Sequence, residues 1–171
     1  GLVSLGTGAV VEPGSVLDVR SGPIRISDGA VIRSHTRLEG PAFIGPGSTV
    51  LGGVISQVSI GPMCRIRGEV ESTLVLGFTN KTHDGFLGHA YVGKWVNLGA
   101  FTSNSDLKNN YGPVRVDLGW GEIETGLRFV GLLMGDHAKT AIGTLFNTGT
   151  SVGFASNIFG GGMPPKHVPN F

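Results

Sequence analysis

An Ile, Leu or Val returns at every sixth position through long stretches of this chain: Ile26, Ile32, Leu38, Ile44 and Val50, then Val54, Ile60 and Ile66, then Val92 and Leu98. Several are followed at once by Gly, as at Ile44-Gly45, Ile60-Gly61, Val92-Gly93, Leu98-Gly99, Ile142-Gly143 and Val152-Gly153. Side chains repeat about every 3.6 residues on a helix and about every 2 on a strand, so a period of six fits neither. It fits a coil in which each hexad is one short strand and one turn, with the aliphatic residue pointing inward to stack on its counterparts above and below. Gly and Pro-Gly, as at Pro13-Gly14 and Pro46-Gly47, supply the corners. The spacing predicts an all-β parallel β-helix. Three hexads make a coil of about 18 residues, so residues 1–171 give one domain of roughly nine coils whose contacts stay local.

Composition agrees and excludes some partners. Of 171 residues, 30 are Gly, 15% are charged and 40% hydrophobic, as expected of a turn-rich β domain. A formal charge of +1 gives no reason to expect nucleic acid, which is held by clustered Lys and Arg on many phosphates. No apolar run is long enough to cross a membrane as a helix, and no signal peptide is evident. The single cysteine, Cys64, excludes an internal disulfide and suits a reducing, cytoplasmic setting. The chain opens on Gly1 and is in repeat by Leu5-Gly6, so it reads as part of something longer with an N-terminal portion missing.

Residues 1 to about 76 are regular and read as scaffold. Between Leu76 and Ala100 polar residues crowd the repeat, and chemistry is expected there. The period lapses from Phe101 to Thr125, where a loop extruded from one corner and a surface hairpin (from the alternation Val114-Arg115-Val116-Asp117-Leu118) are both open readings. It resumes at Phe129-Val130-Gly131, and the irregular tail from Gly160 is expected to cap or drape over the last coil.

The segment from His83 to Ala100 carries a specific resemblance. A His, two residues, an aromatic, an aliphatic-Gly pair, then Gly-x-x-Val-Asn-aliphatic-Gly-Ala can be read here without a gap. This is similar to the active-site signature of the acetyltransferase half of the bacterial bifunctional enzymes that make UDP-N-acetylglucosamine: N-acetylation of glucosamine-1-phosphate from acetyl-CoA, then uridylation. The resemblance implies a left-handed helix, a homotrimer with sites between neighbouring chains, and a nucleotidyltransferase domain preceding this one. It implies His83 as general base, Asn97 as a substrate contact, Ala100 beside the acetyl-CoA thioester, and Arg67 at the sugar phosphate. Asn147-Thr148-Gly149 resembles the stretch lining the cofactor, which makes Thr148 a cofactor contact. Phe86 stands where the family has Tyr, and Leu132 where Ser is common. Past Thr102 the family's Asn-Tyr and Lys do not align, and Asp106, Lys108 or Asn110 with Tyr111 could take their place.

The chemistry is sound at these positions. An amino sugar is mostly ammonium at neutral pH and must lose a proton before attacking a thioester, a task suited to an imidazole of ordinary pKa about 6.5. Backbone N–H groups at Gly99-Ala100 are candidates for the oxyanion. Arg67 and Lys81 could hold the phosphate, and the pantetheine arm could pair along exposed strand backbone.

Plainer readings apply elsewhere. His89 is expected to be structural or supporting, either near His83 or rotated around the coil. Asp84 points away from its neighbour, Cys64 fills a small space, Trp95 and Tyr91 cover the solenoid, and Asn104, Asn109 and Asn110 make turns. A γ-type carbonic anhydrase is disfavoured because five residues, rather than that family's four, separate His83 from His89, and a third zinc ligand is not obvious; no metal is expected. The other competitors are a non-catalytic oligomerisation tail and an acetyltransferase for a different acceptor, such as galactosamine-1-phosphate.

Overall fold

In the computed structural model, which describes residues 2–171, the hexads stack as three parallel ladders of short strands that form the faces of a triangular coil. Along one ladder, nine rungs follow in order from Val3–Leu5 to His167–Val168. Its inward column is Ile26, Ile44, Ile60, Val75, Val92, Met134, Val152 and Val168, each paired directly with the next. A second column runs Leu38, Ile55, Val70 and Leu87, and a third begins Ile32, Val50 and Ile66. Apart from the partly buried Val168 on the last rung, these residues are almost wholly buried, so each coil closes its core only against the coils above and below, about 4.8 Å away. Among the described residues there is no helix, hence none to cross a membrane.

Where a Gly follows a buried aliphatic residue, as at Gly45, Gly61, Gly93, Gly99 and Gly153, it is required for clearance rather than for an unusual φ; Ile142-Gly143 is different, with Ile142 exposed and Gly143 at φ 71° with nothing close to a Cβ. A Cβ on Gly45 would lie 2.6 Å from the Gly61 carbonyl oxygen, and one on Gly61 would lie 2.1 Å from that of Leu76. The left-handed positions come later in the turn, and there the chain tolerates Met63, Trp95, His137 and Ala155 (φ 55–62°).

Besides the small hydroxyl of Thr140, two longer polar side chains interrupt the apolar columns, and sequence alone revealed neither as inward. Lys81 pairs with Ile66 inside the third column and is 2% exposed. Asn104 pairs with Phe146 at the inward position beyond Leu87 and is 4% exposed. Its amide spans the adjacent coil, accepting from the Gly88 N–H (3.1 Å) and donating to the Gly88 carbonyl (3.0 Å). Asn104 is thus a core residue, not the expected turn residue.

The extruded segment is real but shorter at its start and longer at its end than the lapse in period implied. Ser103–Asn104 still pairs with Leu145–Phe146, so the coil persists past Phe101. The excursion is closed at its root by an antiparallel bridge between Leu107 and Phe129. Within it, Arg115–Asp117 and Glu122–Glu124 form an antiparallel hairpin, so loop and hairpin are both present. The hairpin folds back on its own coil through Val114, Val116 and Val130 with Leu133. The tail forms one more rung, His167–Val168 on Ser151–Val152, rather than a loose cover.

Candidate functional site

The first corner of the coil, between the faces carrying Ile32 and Leu38, gathers much of what the sequence singled out. On successive levels it presents Arg33 to His35, then Leu51-Gly52, then Arg67, then Thr82 to Gly85, then Gly99 to Thr102. The levels are locked by backbone bonds: the Phe101 N–H donates to the Asp84 carbonyl (2.9 Å), and the Gly143 N–H to that of Ala100 (2.7 Å). Gly68 and Gly85 adopt φ of 100° and 133°, and a Cβ on either would press within 2.9 Å of the next coil's carbonyl. This is the left-handed region that favours glycine, and the tight stacking adds a second reason.

His83 stands exposed on this corner. Arg67, one level below, donates from Nε to Asp84 Oδ1 (3.1 Å) and from Nη1 to the Leu51 carbonyl (2.9 Å). It lines a polar cavity of about 490 Å³ with Glu12, Arg33, Ser34 and His35. Beside it runs a groove of about 380 Å³ floored by Gly53, Gly68 and Gly85 and walled by Val54, Glu69 and Phe86. Asn97 is exposed on the adjoining face, between Asn80 and Lys139.

Lys81 does other work than the phosphate contact expected of it. Its Nζ donates to the carbonyls of Arg67 (2.9 Å), His83 (3.0 Å) and Gly85 (2.7 Å), which uses all three N–H donors of the ammonium. Burial pushes its pKa down to about 8, with the Asp84 charge acting the other way. Lys81 therefore fixes the turn that carries His83 from inside the coil. Of the two candidate oxyanion donors, the Gly99 N–H is already spent on Thr140 Oγ1 (2.9 Å), which leaves Ala100.

The remaining predicted residues lie elsewhere. Asp106, Lys108 and Thr148 sit at the second corner, one face away. A six-residue step separates His83 from His89, so the corners stand up to about 20 Å apart at roughly 3.3 Å per residue. His89 is rotated around the coil, not stacked on His83. Its Nδ1 lies 2.8 Å from Asp106 Oδ2, and Phe129 stacks on its ring with centroids 4.9 Å apart. Thr148 is buried, its hydroxyl 2.9 Å from that of Ser105. Lys108, Asn147, Thr148 and Lys166 line a polar cavity of about 350 Å³. Lys108 Nζ donates to the Pro113 carbonyl (3.1 Å). Nearby, Trp120, Leu118, Tyr91, Leu133 and Met134 enclose a more apolar cavity of about 580 Å³ under the hairpin.

The third corner holds exposed rings in contact, Phe78 on Trp95 (4.5 Å) and Trp95 on His137 (6.2 Å), consistent with Trp95 covering the solenoid. Cys64 is buried, and burial pushes its thiol pKa up, as suits a filler rather than a nucleophile.

Repeat, ladder and corner define a hexapeptide-type parallel β-helix. No protein-family model matches the chain. Two curated relatives carry names of the kind suggested by the His83–Ala100 signature. The bifunctional protein GlmU of Methanocaldococcus jannaschii is 31% identical over 85 residues, 50% of this chain and 21% of that protein. A bifunctional sugar-1-phosphate nucleotidylyltransferase/acetyltransferase of Sulfurisphaera tokodaii is 26% identical over 100 residues, 58% of this chain and 25% of that protein. The chain thus spans a quarter or less of the length of these relatives. Among solved structures, a Bacillus cereus protein provisionally described as an acetyltransferase overlays 96% of this chain and 76% of its own, at 13% identity and a TM-score of 0.49. At that level the overlay carries nothing further.

Proposed function

We propose that this chain is an acetyltransferase that moves the acetyl group of acetyl-CoA to the amine of an amino-sugar-1-phosphate, glucosamine-1-phosphate foremost, the product serving UDP-N-acetylglucosamine synthesis. The observation that carries the reading is the placement of the signature: His83 stands one coil from Ala100 and one coil from Arg67 on a single corner. The names of the two sequence relatives support the same class.

In this reading His83 takes a proton from the sugar ammonium, and the freed amine attacks the thioester carbonyl. The Ala100 N–H faces the oxygen that gains charge, and collapse of the tetrahedral adduct expels the CoA thiolate, which is then protonated. Arg67 holds the phosphate from the level below, and Asn97 orients the sugar from the adjoining face. Lys81 holds the turn rather than the ligand.

The second corner supplies the cofactor side. Lys108 and Lys166 give positive charge for CoA phosphates, Thr148 lines the same cavity, and the apolar cavity under Trp120 suits a pantetheine arm. Because one chain holds these groups a face away from His83, the reading calls for a homotrimer in which the second corner of one chain closes on the first corner of its neighbour. It also includes a nucleotidyltransferase domain in the same polypeptide and a cytoplasmic setting, both resting on the relatives' names and the likeness of the signature.

The test is release of free CoA thiol from acetyl-CoA with glucosamine-1-phosphate, galactosamine-1-phosphate or no acceptor. Turnover with one sugar phosphate that His83→Ala loses by at least about 100-fold supports the reading. A folded oligomer that turns over neither acceptor refutes it and favours an oligomerisation tail.

A further inference from the structure

The His89–Asp106 pair has a third member. Glu71 brings a carboxylate oxygen to the same spot, so that one ligand atom each from Glu71, His89 and Asp106 lies within 4.8 Å of the others, all partly buried. The coil's own register assembles them: Glu71 pairs with Gly88, and His89 follows Gly88 directly. The His89 N–H donates to the Glu71 carbonyl (3.1 Å), and Asp106 closes the next coil, its carbonyl accepting from Val130 (3.0 Å).

Gly88 makes the room. Its φ is ordinary, yet a Cβ there would lie 2.6 Å from Asp106 Oδ2 and 2.3 Å from the Phe86 ring. A glycine is therefore demanded by the space the Asp106 carboxylate occupies, not by the backbone. On the other side the Phe129 ring lies at 22° to the imidazole, fixing its orientation and shielding one face from water.

Charge is unbalanced in this notch. Two carboxylates face one imidazole, and the Glu71 side chain makes no hydrogen bond or ion pair among the described residues. Two ligands about 2.1 Å from an octahedral ion stand about 3.0 Å apart when adjacent. His89 Nδ1 and Asp106 Oδ2, at 2.8 Å, already have that spacing. Glu71, within 4.8 Å of both, needs to close by about 2 Å at most to complete one triangular face, leaving the other positions for water.

We infer that Glu71, His89 and Asp106 form a site for a divalent transition ion of the Mn²⁺ or Zn²⁺ type, which clamps the root of the extruded segment to the coil. An imidazole with two carboxylates suits such borderline ions better than Mg²⁺, which prefers oxygen alone. Asp106 precedes Leu107 at the start of the segment, so the ion would tie that end to the coil beneath, while Phe129 at the other end rests on the ring of the ligand His89. The site stands on geometry alone and does not depend on the acetyltransferase reading.

The experiment uses the chain after chelator treatment, titrated calorimetrically with MnCl₂ and with ZnCl₂. The expected result is one ion per chain for at least one metal, with a dissociation constant in the micromolar range or tighter and a rise in the unfolding midpoint. Glu71→Gln, a near-isosteric change on a partly exposed side chain, should weaken binding about 10–100-fold, and His89→Gln should do at least as much. Bound Mn²⁺ should show magnetic coupling to one imidazole nitrogen, a readout that needs no variant. Absence of binding at millimolar metal, unchanged affinity in the Glu71→Gln/His89→Gln double variant, or bound Mn²⁺ without nitrogen coupling would each overturn the site.

Discussion

At the residue scale, the candidate centre depends on a lysine that the sequence presents as a ligand and the fold uses as a strut. Lys81 falls at an inward position of the hexad, where Ile66 stands in the coil below. With its head on three carbonyls, Lys81→Met would leave buried acceptors without a donor. The expected loss is about 2–4 kcal/mol in urea unfolding, with disorder centred on the turn bearing His83.

The same group imposes a pH dependence of stated sign. The unfolded lysine keeps its proton to 10.5, whereas the folded one releases it at about 8. Between those values the unfolded state binds more protons, so this group makes stability rise with pH, by at most about 1.4 kcal/mol per pH unit. Urea unfolding at pH 8 and pH 10 should show the wild type gaining on Lys81→Met as pH rises; a constant difference would contradict the assignment.

In the proposed reading Arg67 serves binding more than chemistry. Arg67→Ala should raise KM for the sugar phosphate about 10–100-fold with a smaller change in kcat, measured by the thiol assay. The sequence pattern marks His83, Arg67 and Ala100 as candidates, and they lie on successive levels of one corner. Lys81 and Asn104 were not legible, because an inward-pointing polar side chain has the same one-letter code as an outward one, and only its coil partners identify it.

At the scale of the element, the hexad was readable because most strands turn an aliphatic residue inward, and along the ladder through Ile44, Ile60, Val92 and Val152 a clearance-limited Gly follows it. Ile60 is fully buried between Ile44 and Val75. Ile60→Ala should cost about 2–5 kcal/mol, whereas Met63→Ala, at a 57% exposed corner three residues on, should stay within about 0.5 kcal/mol. Chemical denaturation of the pair checks the contrast.

The extruded element was harder to bound from sequence. Ser103 and Asn104 lack the aliphatic signature but keep the coil through side-chain bonds, Ser103 Oγ accepting from the Phe86 N–H (3.1 Å) and Asn104 bridging to Gly88. The rung at His167–Val168 was hidden for a similar reason: after the Gly160 to Gly162 run only Val168 carries the inward position.

At the scale of the whole molecule, the triangular coil separates residues six apart onto different corners, and it divides the proposed centre accordingly. His83, Arg67 and Ala100 share one corner, while Lys108, Asn147 and Thr148 share another. No reading of one chain's sequence could show that division, since the hexad gives the coil but not which corners meet between copies. In the proposed function the assembly, not the single chain, is therefore the catalytic unit.

Its most direct test mixes two variants, each expected to be inactive alone: His83→Ala, which empties the first corner, and Asn147→Trp, which fills the cavity at the second from an exposed position. When the two are unfolded together, refolded at equal amounts and assayed for thiol release with glucosamine-1-phosphate, intact corners should meet at about one interface in four. Recovery of about a quarter of wild-type turnover is the predicted result. A mixture as inactive as its components, with trimers demonstrably exchanged and the wild type active, would show that both corners must belong to one chain and would contradict the account.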